Sequence, residues 1–444
     1  MPNSTMIFDF IIRFLQTNLK GIVNEKNRPQ YKFFFDMTFG ILKSSSIVLN
    51  DIAHALNEKI TLKKTNYRLQ RNLTPPLDVA IKHCFIKTAL AYMNNDDLVF
   101  LVDDSDIIKP YGKHFEKLAT VRDGSSPKTS FQNGYHVSSV TGLSKYHKHP
   151  IPFITTIYSS ITKKFKSANM ETYQNLTMIL AHLKPFTATF VFDRGYDNHK
   201  LMQFIHNNNQ YFVIRMSNNR RFMYKNQSFM LKDIANKRKG KIVVPLRYKG
   251  KDTSLKLSFL IGKINNFTPQ ITALFSFIGT QTKDPMILLT NKVVKTKEEA
   301  TAVSLHYVSR WKIEELFRFK KVDFGFENFR VKSLTAINNL SFHLDIAIFT
   351  LAAIIETQKR NMIYNELINR SKKIRTDAYL TYYQVNSGIK TLFTRNKKGV
   401  KNYQQIERWE KEPYSLFNSK ELTDNKMHRK PTAKKKKKTR NKPR

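Results

Sequence analysis

The sequence is short of cysteine, of acidic residues and of long apolar runs, and each shortage excludes something. Cys84 is the only cysteine among 444 residues, so no disulfide can form within the chain and a zinc site built on several cysteines is ruled out. A reducing, cytoplasmic setting is expected. The longest apolar run, residues 346–355, falls short of the about 20 residues that cross a bilayer. It follows His343 and Asp345, so a buried helix and no membrane partner are expected. The opening MPNSTMIFDFIIRF carries Asp9 and Arg13 inside its apolar stretch, which suits an amphipathic segment and not a signal peptide. There is no internal repeat.

What is abundant is positive charge. Lys and Arg number 76 against 34 Asp and Glu, a net charge of +42. A surplus of that size favours a polyanionic partner, nucleic acid first, although charge alone leaves a ribosome-associated or merely basic surface open. The tail from Lys426 to Arg444 has no acidic residue and reads as a disordered arm that adds sequence-independent phosphate affinity. The rest of the chain remains strongly basic without it. With 41% hydrophobic residues the body should fold, and its length suggests several structural units.

Residues 1–95 show helical periodicity that ends at Pro75-Pro76. Within them, SSSIVLNDIAHALNEKITLKKTNYRLQRNL places two short helices around a turn. Ile47, Ile52, Ala53, Ala55 and Leu56 face the core, and the second helix, from about Leu62, is basic. A helix-turn-helix-like DNA-binding unit and a plain helical bundle both fit. From Asp96 onward strands alternate with helices: LVFLVDD, GYHVSSVTGL, IPFITTIYSS, a helix over 170–183, TATFVFD, a helix over 198–206, then QYFVIR. Strands apolar throughout imply a sheet covered on both faces. Residues 220–294 read as an all-β stretch, 297–321 as one strong helix, and 333–359 as a core helix.

Three acidic positions stand out against the basic background. Asp103 and Asp104 close one apolar strand and Asp193 closes another, where α/β sheets expose polar groups. An Asp that merely begins a turn explains either alone. Converging carboxylates in so basic a chain point instead to a divalent cation. On the 297–321 helix, Tyr307, Arg310, Glu314, Arg318 and Lys321 fall within one stripe roughly 80° wide. Val308, Leu316 and Phe319 flank it on one side, Ile313 and Phe317 on the other. A solvated salt-bridge face would give the same i,i+4 pairs, but it seldom runs between apolar flanks. Two Asp and a Glu can hold two Mg²⁺ ions for phosphodiester chemistry, with Arg310, Arg318 and Lys321 neutralising phosphates. His136, His147 and His149 are expected to be structural. The loop Lys109-Pro110-Tyr111-Gly112-Lys113 is either a phosphate contact or plain turn chemistry.

Tyr307-x2-Arg310-x3-Glu314-x6-Lys321, inside YVSRWKIEELFRFKK, resembles the Y-x2-R-x3-E-x6-K signature of a large group of bacterial insertion-sequence DDE transposases. FVFDRGYD around Asp193 is similar to the second-aspartate segment of that group, and LVDDSD to the first. The resemblance covers about residues 95–330. It implies an α/β fold with an RNase H-like catalytic core (96–219 and 295–360), an inserted β-domain (220–294), a helical DNA-binding N-terminal domain (1–95) and a C-terminal region for dimerisation (361–425) ahead of the basic tail (426–444). It also implies Mg²⁺-dependent cleavage, with Mn²⁺ able to substitute, two ions per site, and strand transfer by a homodimer on double-stranded DNA, close to the nucleoid. Asp104, Asp193 and Glu314 then hold the metals, and Tyr307, Arg310, Arg318, Lys321 and Arg194 contact DNA. Asp104 is preferred because it directly precedes Ser105, with Asp103 the alternative. Some members hold a flipped base with a Trp of the β-insertion. Here Trp311 and Trp409 lie outside it, and Phe259, Phe267, Phe275 and Phe277 are expected to pack in the core.

Overall fold

The computed structural model describes residues 4–395 apart from 125–129, 218, 239, 249–250, 280–284, 359–361 and 373–380. The basic tail, Trp409 and much of the 361–425 region therefore lie outside the described residues. Five helices come first: α1 (Ser4–Ile22), α2 (Arg28–Ser44), α3 (Leu49–Leu56), α4 (Leu62–Leu73) and α5 (Val79–Leu90). Side-chain oxygens of Asn27, Thr61 and Asp78 accept from the first free backbone N–H groups of α2, α4 and α5, which fixes where each helix starts. Ile47, Ile52, Ala53, Ala55 and Leu56 are buried as their spacing required. A buried charge network ties α2 to α4: Arg68 reaches Asp36 at 2.9 Å and Glu58 at 3.0 Å, and Lys32 binds the same two carboxylates.

The sheet then opens with β1 (Leu98–Ile108), β2 (Ala119–Arg122), β3 (Phe131–Leu143) and β4 (Pro150–Tyr158). After α6 (Ala168–Leu180) come β5 (Ala188–Phe192), α7 (His199–Asn207) and β6 (Tyr211–Arg215). β1 pairs antiparallel with β3, β3 antiparallel with β4, and β1, β5 and β6 run parallel. All five residues of β5 are buried, as a strand covered on both faces must be.

The β-rich stretch contains β7 (Arg221–Tyr224), β8 (Gln227–Met230), the short helix α8 (Leu231–Asn236), β9 (Ile242–Tyr248), β10 (Lys251–Ile264), β11 (Phe267–Ile278) and β12 (Met286–Thr290). It continues the same sheet: β12 pairs with β6, and the 12-stranded order runs β2-β3-β1-β5-β6-β12-β11-β10-β7-β8, with β4 on β3 and β9 on β10. Phe267 and Phe275 are buried in it.

The expected single helix over 297–321 is two helices, α9 (Lys297–Val308) and α10 (Trp311–Asp323). Thr296 and Glu299 form a capping box that starts α9. At its other end the Ser309 hydroxyl donates to Leu305 O at 2.9 Å, competing with the regular ladder. Arg310, Lys312 and Ile313 then donate to carbonyls three residues back, a tightened turn that re-aims α10. The chain continues with α11 (Leu334–Gln358), α12 (Met362–Arg370) and α13 (Tyr382–Arg395). Over Leu334–Thr357, α11 is long and apolar enough to cross a bilayer, longer than the apolar run alone suggested, yet 94% of its most apolar window is buried inside the protein. It packs on β4 and α2 as the central core helix.

Candidate active site

Register decides which carboxylates can meet. In the parallel pair β1–β5, Val102 stands opposite Phe192, so Asp103 and Asp193 are the next residues on adjacent strands and leave the sheet on the same face. β1 does not end there, as the sequence suggested, but runs on to Ile108 against β3. Its neighbour β5 stops at Phe192, and the gap beside the continuing strand is where Asp193 turns out.

Two cross-strand rows show the faces directly. Asp103, Ser139 and Thr155 form one row across β1, β3 and β4, and Thr155 accepts from Lys320 of α10 at 2.8 Å. Asp104, Ser138 and Thr156 form the next row, and the Thr156 hydroxyl donates to Asn175 of α6 at 2.8 Å. The face of Asp103 is therefore the face of α10. Asp104, the expected first ligand, lies on the α6 face, with the hydroxyls of Tyr196 and Ser138 beside it. The structure does not bring it to the other two carboxylates, because adjacent residues of a strand point to opposite sides.

Arg310 sits at the centre of the group that does meet. Its Nη1 donates to Asp103 Oδ2 at 2.7 Å and its Nη2 to Glu314 Oε1 at 2.5 Å. Asp193 also lies within its field, and the Tyr307 hydroxyl donates to Asp193 Oδ1 at 3.1 Å. Arg310 is 14% exposed, Asp103 18% and Glu314 47%, so the cluster opens to solvent on the glutamate side.

Burial raises the Asp103 carboxyl to about 7, against the pull of Arg310 and with the push of Asp193 and Glu314. For Asp193 burial also raises the value, but the Arg194 backbone N–H, Arg310, the Tyr307 hydroxyl and Arg215 together bring it below the usual carboxylate range. Tyr307 is pushed up to about 12, by burial first and the Asp193 charge second, so it is a fixed donor. Two neighbouring carboxylates with opposite shifts are common where protons or cations are handled.

Three carboxylates are the hard oxygen donors that Mg²⁺ or Mn²⁺ takes. As the side chains stand, however, no three His, Cys, Asp or Glu among the described residues are placed to hold an ion. The donor chemistry fits a divalent cation, and a guanidinium occupies the middle of it.

The remaining residues singled out in the sequence have other surroundings. Lys321 donates to Asp106 O at 2.8 Å and pairs with Glu327 at 3.0 Å. Arg318 is 60% exposed and pairs with Glu315 at 3.0 Å. Arg194 is exposed immediately after Asp193. His136 binds Asp106 at 3.0 Å, His147 binds Glu356 at 3.2 Å and His149 lies against Tyr382, all structural partners. Lys109 is turned inward, donating to the carbonyls of Glu327 and Phe329 and lying 4.0 Å over the Phe329 ring, while Tyr111 stands 94% exposed at the loop tip.

Sequence reasoning missed Lys320. It is wholly buried and pairs with the buried Asp345 at 2.6 Å, locking α10 to α11. The only visible signal was a lysine falling on an otherwise apolar helix face.

A family model for the transposase DDE domain matches residues 95–349. That span holds the parallel strands, the β-rich continuation, α9, α10 and each of Asp103, Asp104, Asp193 and Glu314. No curated protein matches the chain. The family match spans more than half of the sequence and encloses the carboxylate cluster around Arg310, and on that ground the chain belongs to the DDE transposase family.

Proposed function

We propose that the chain cuts phosphodiester bonds at the ends of a mobile DNA segment and transfers the freed 3′-hydroxyls to target DNA. Asp103, Asp193 and Glu314 are the three acidic residues of this reading, in place of the set headed by Asp104. The observation that carries it is the adjacency of Asp103 and Asp193 on parallel strands, with Glu314 reached through the same guanidinium.

The strand order β4-β3-β1-β5-β6, antiparallel then parallel, supports reading these strands as an RNase H-like core and β7 to β12 as its β-rich insertion. The three carboxylates would hold two Mg²⁺ ions, or Mn²⁺ in their place, which when bound activate the attacking oxygen and stabilise the leaving one. Tyr307 orients Asp193 through its hydrogen bond and, after the Arg194 backbone N–H and Arg310, helps to hold it ionised. Arg310, Arg194, Lys321 and Arg318 are the residues that donate to phosphate oxygens in this reading, Lys321 by giving up Glu327.

In the N-terminal helices Arg68 is consumed by Asp36 and Glu58, and Lys63, Lys64, Tyr67, Gln70 and Arg71 of α4 remain exposed. A basic helix after a short turn with that outer face suits insertion into a DNA groove. The active form on paired ends is a homodimer, in the cytoplasm next to the nucleoid.

The test is a cleavage and joining assay on paired duplex ends with Mg²⁺, comparing Asp103→Ala with Asp104→Ala. Loss in the first and retention in the second is expected. Full activity of Asp103→Ala, or loss only in Asp104→Ala, sinks the assignment. Nicks without joined products would indicate a nuclease, and binding without nicks an inactive DNA-binding descendant.

A further inference from the structure

We propose that Arg310 is the resident counter-ion of the carboxylate cluster and couples its loading to DNA. The guanidinium holds Asp103 and Glu314 until a divalent cation displaces it, and the freed arginine then turns to a phosphate of the bound DNA. This rests on the reading given above for the three carboxylates.

The geometry starts from competition for the same atoms. Arg310 spends both terminal nitrogens on Asp103 Oδ2 and Glu314 Oε1, and these are oxygens a cation would need. A metal ion seated between these carboxylates would stand against the guanidinium that bridges them, and repulsion between the two positive groups sets the two states in competition. Charge gives the direction. Arg310 has three carboxylates, Asp103, Asp193 and Glu314, within its field, and Arg215 also acts on Asp193; two cations against three carboxylates leave the ionised cluster under-compensated, and a doubly charged ion improves the balance.

The other cations of α10 cannot play this part, because each is committed elsewhere. Lys320 pairs with Asp345, Lys321 with Glu327 and the Asp106 carbonyl, Arg318 with Glu315, and Lys312 donates to the Lys148 carbonyl at 2.7 Å. Among these five cations, Arg310 alone has the proposed ligands themselves as its partners.

Position favours the exchange. Arg310 lies in the tightened turn between α9 and α10, so its side chain can swing without dragging a helix. Glu314 is half exposed and opens the cluster toward solvent, where a phosphate would arrive. Arginine presents a planar fork that fits carboxylate and phosphate oxygens alike, so one set of donors serves both states. Linkage then requires that cation and DNA each tighten the other, by the same factor.

The experiment titrates Mn²⁺ into the chelator-stripped full chain, read by electron paramagnetic resonance of free Mn²⁺, with and without a mixed-sequence DNA duplex. Without DNA, Arg310→Gln should bind Mn²⁺ tighter by about fivefold or more, the low end of typical coupling between sites. Arg310→Lys, which keeps the charge but cannot bridge two carboxylates, should fall between that variant and the wild type. The duplex should tighten Mn²⁺ in the wild type, and by a clearly smaller factor in Arg310→Gln. Unchanged or weaker Mn²⁺ binding in both arginine variants overturns the proposal, as does a duplex effect equal in wild type and Arg310→Gln. Asp103→Asn and Glu314→Gln separate the two levels. If they bind Mn²⁺ like the wild type, the carboxylate reading itself fails, whereas if they lose Mn²⁺ and the arginine variants stay flat, only the exchange is wrong.

Discussion

Replacing Lys320 by Met should cost the protein about 3–5 kcal/mol, the usual penalty for stranding one partner of a buried ion pair. The pair lies 2.6 Å apart with side chains 0% and 1% exposed. At that distance, with an effective dielectric of about 20, the attraction is about 6 kcal/mol, which the desolvation of two ions largely offsets. The pair therefore adds little net stability over an apolar replacement, but half of it is costly. Apart from Lys320, no hydrogen-bond donor faces the Asp345 carboxylate among the described residues, so nothing softens the loss. Lys320 also binds Thr155 of β4, and α10 carries Glu314, so the lesion loosens the glutamate helix from the catalytic sheet.

Urea unfolding of Lys320→Met, Asp345→Leu and the double variant measures this. Both single variants should unfold at clearly lower urea, and the double variant should recover most of the loss because it strands no charge. Cleavage should follow the same order under conditions where each variant is folded. A cost below about 1 kcal/mol for Lys320→Met, far under the range for a stranded buried charge, would refute the argument. So would a double variant no better than the singles.

Tyr307→Phe removes the hydroxyl that donates to Asp193. A hydrogen bond to a charged group contributes about 1.5–3 kcal/mol, so single-turnover cleavage should slow by roughly 10- to 100-fold at saturating Mg²⁺ with the fold intact. Acid should weaken the protein through His343, which lies against Phe33 and Phe34 and which burial holds at about 3. The unfolded chain takes up that proton near the ordinary value of about 6.5, and the native state refuses it. The contribution is complete above that value and is lost as pH falls toward 3, by up to about 4–5 kcal/mol. Chemical denaturation between pH 7 and 4 should show the slope, and His343→Phe should flatten it. Gly134→Ala should destabilise by about 1–3 kcal/mol through overpacking, because a Cβ there would lie 2.1 Å from the Ile107 carbonyl oxygen. A urea midpoint equal to that of the wild type would contradict the close approach of β3 to β1.

The strands and helices of the catalytic region were legible because their residues carry the pattern themselves: the buried run of β5 and the capping pair Thr296 and Glu299 are local facts. Which of Asp103 and Asp104 shares a face with Asp193 was not a local matter. It depends on parity, which is set by pairing with β3, β4 and β5, and a neighbouring serine says nothing about which side a residue faces. The break at Ser309 and Arg310 was hidden for a related reason. Neither residue is a helix breaker, and a hydroxyl bonding four residues back becomes visible only with the backbone in place. Lys320 and Asp345 read as interruptions of two apolar helices, whereas their meaning lies in each other, 25 positions apart.

The join between β6 and β12 has a mechanical consequence. Ile214 and Arg215 lie in register with Leu289 and Leu288, Met216 donates to the Ile287 carbonyl, and the Asn291 side chain accepts from Phe212. α9, which ends beside the carboxylates, packs on β5 and β6 and also on β10 and β11. The two halves thus share one plate with a common brace. A torque applied by DNA to the far strands would reach Asp193 and Arg310 as tilt of the whole plate, since bending it at this seam would break several backbone bonds at once.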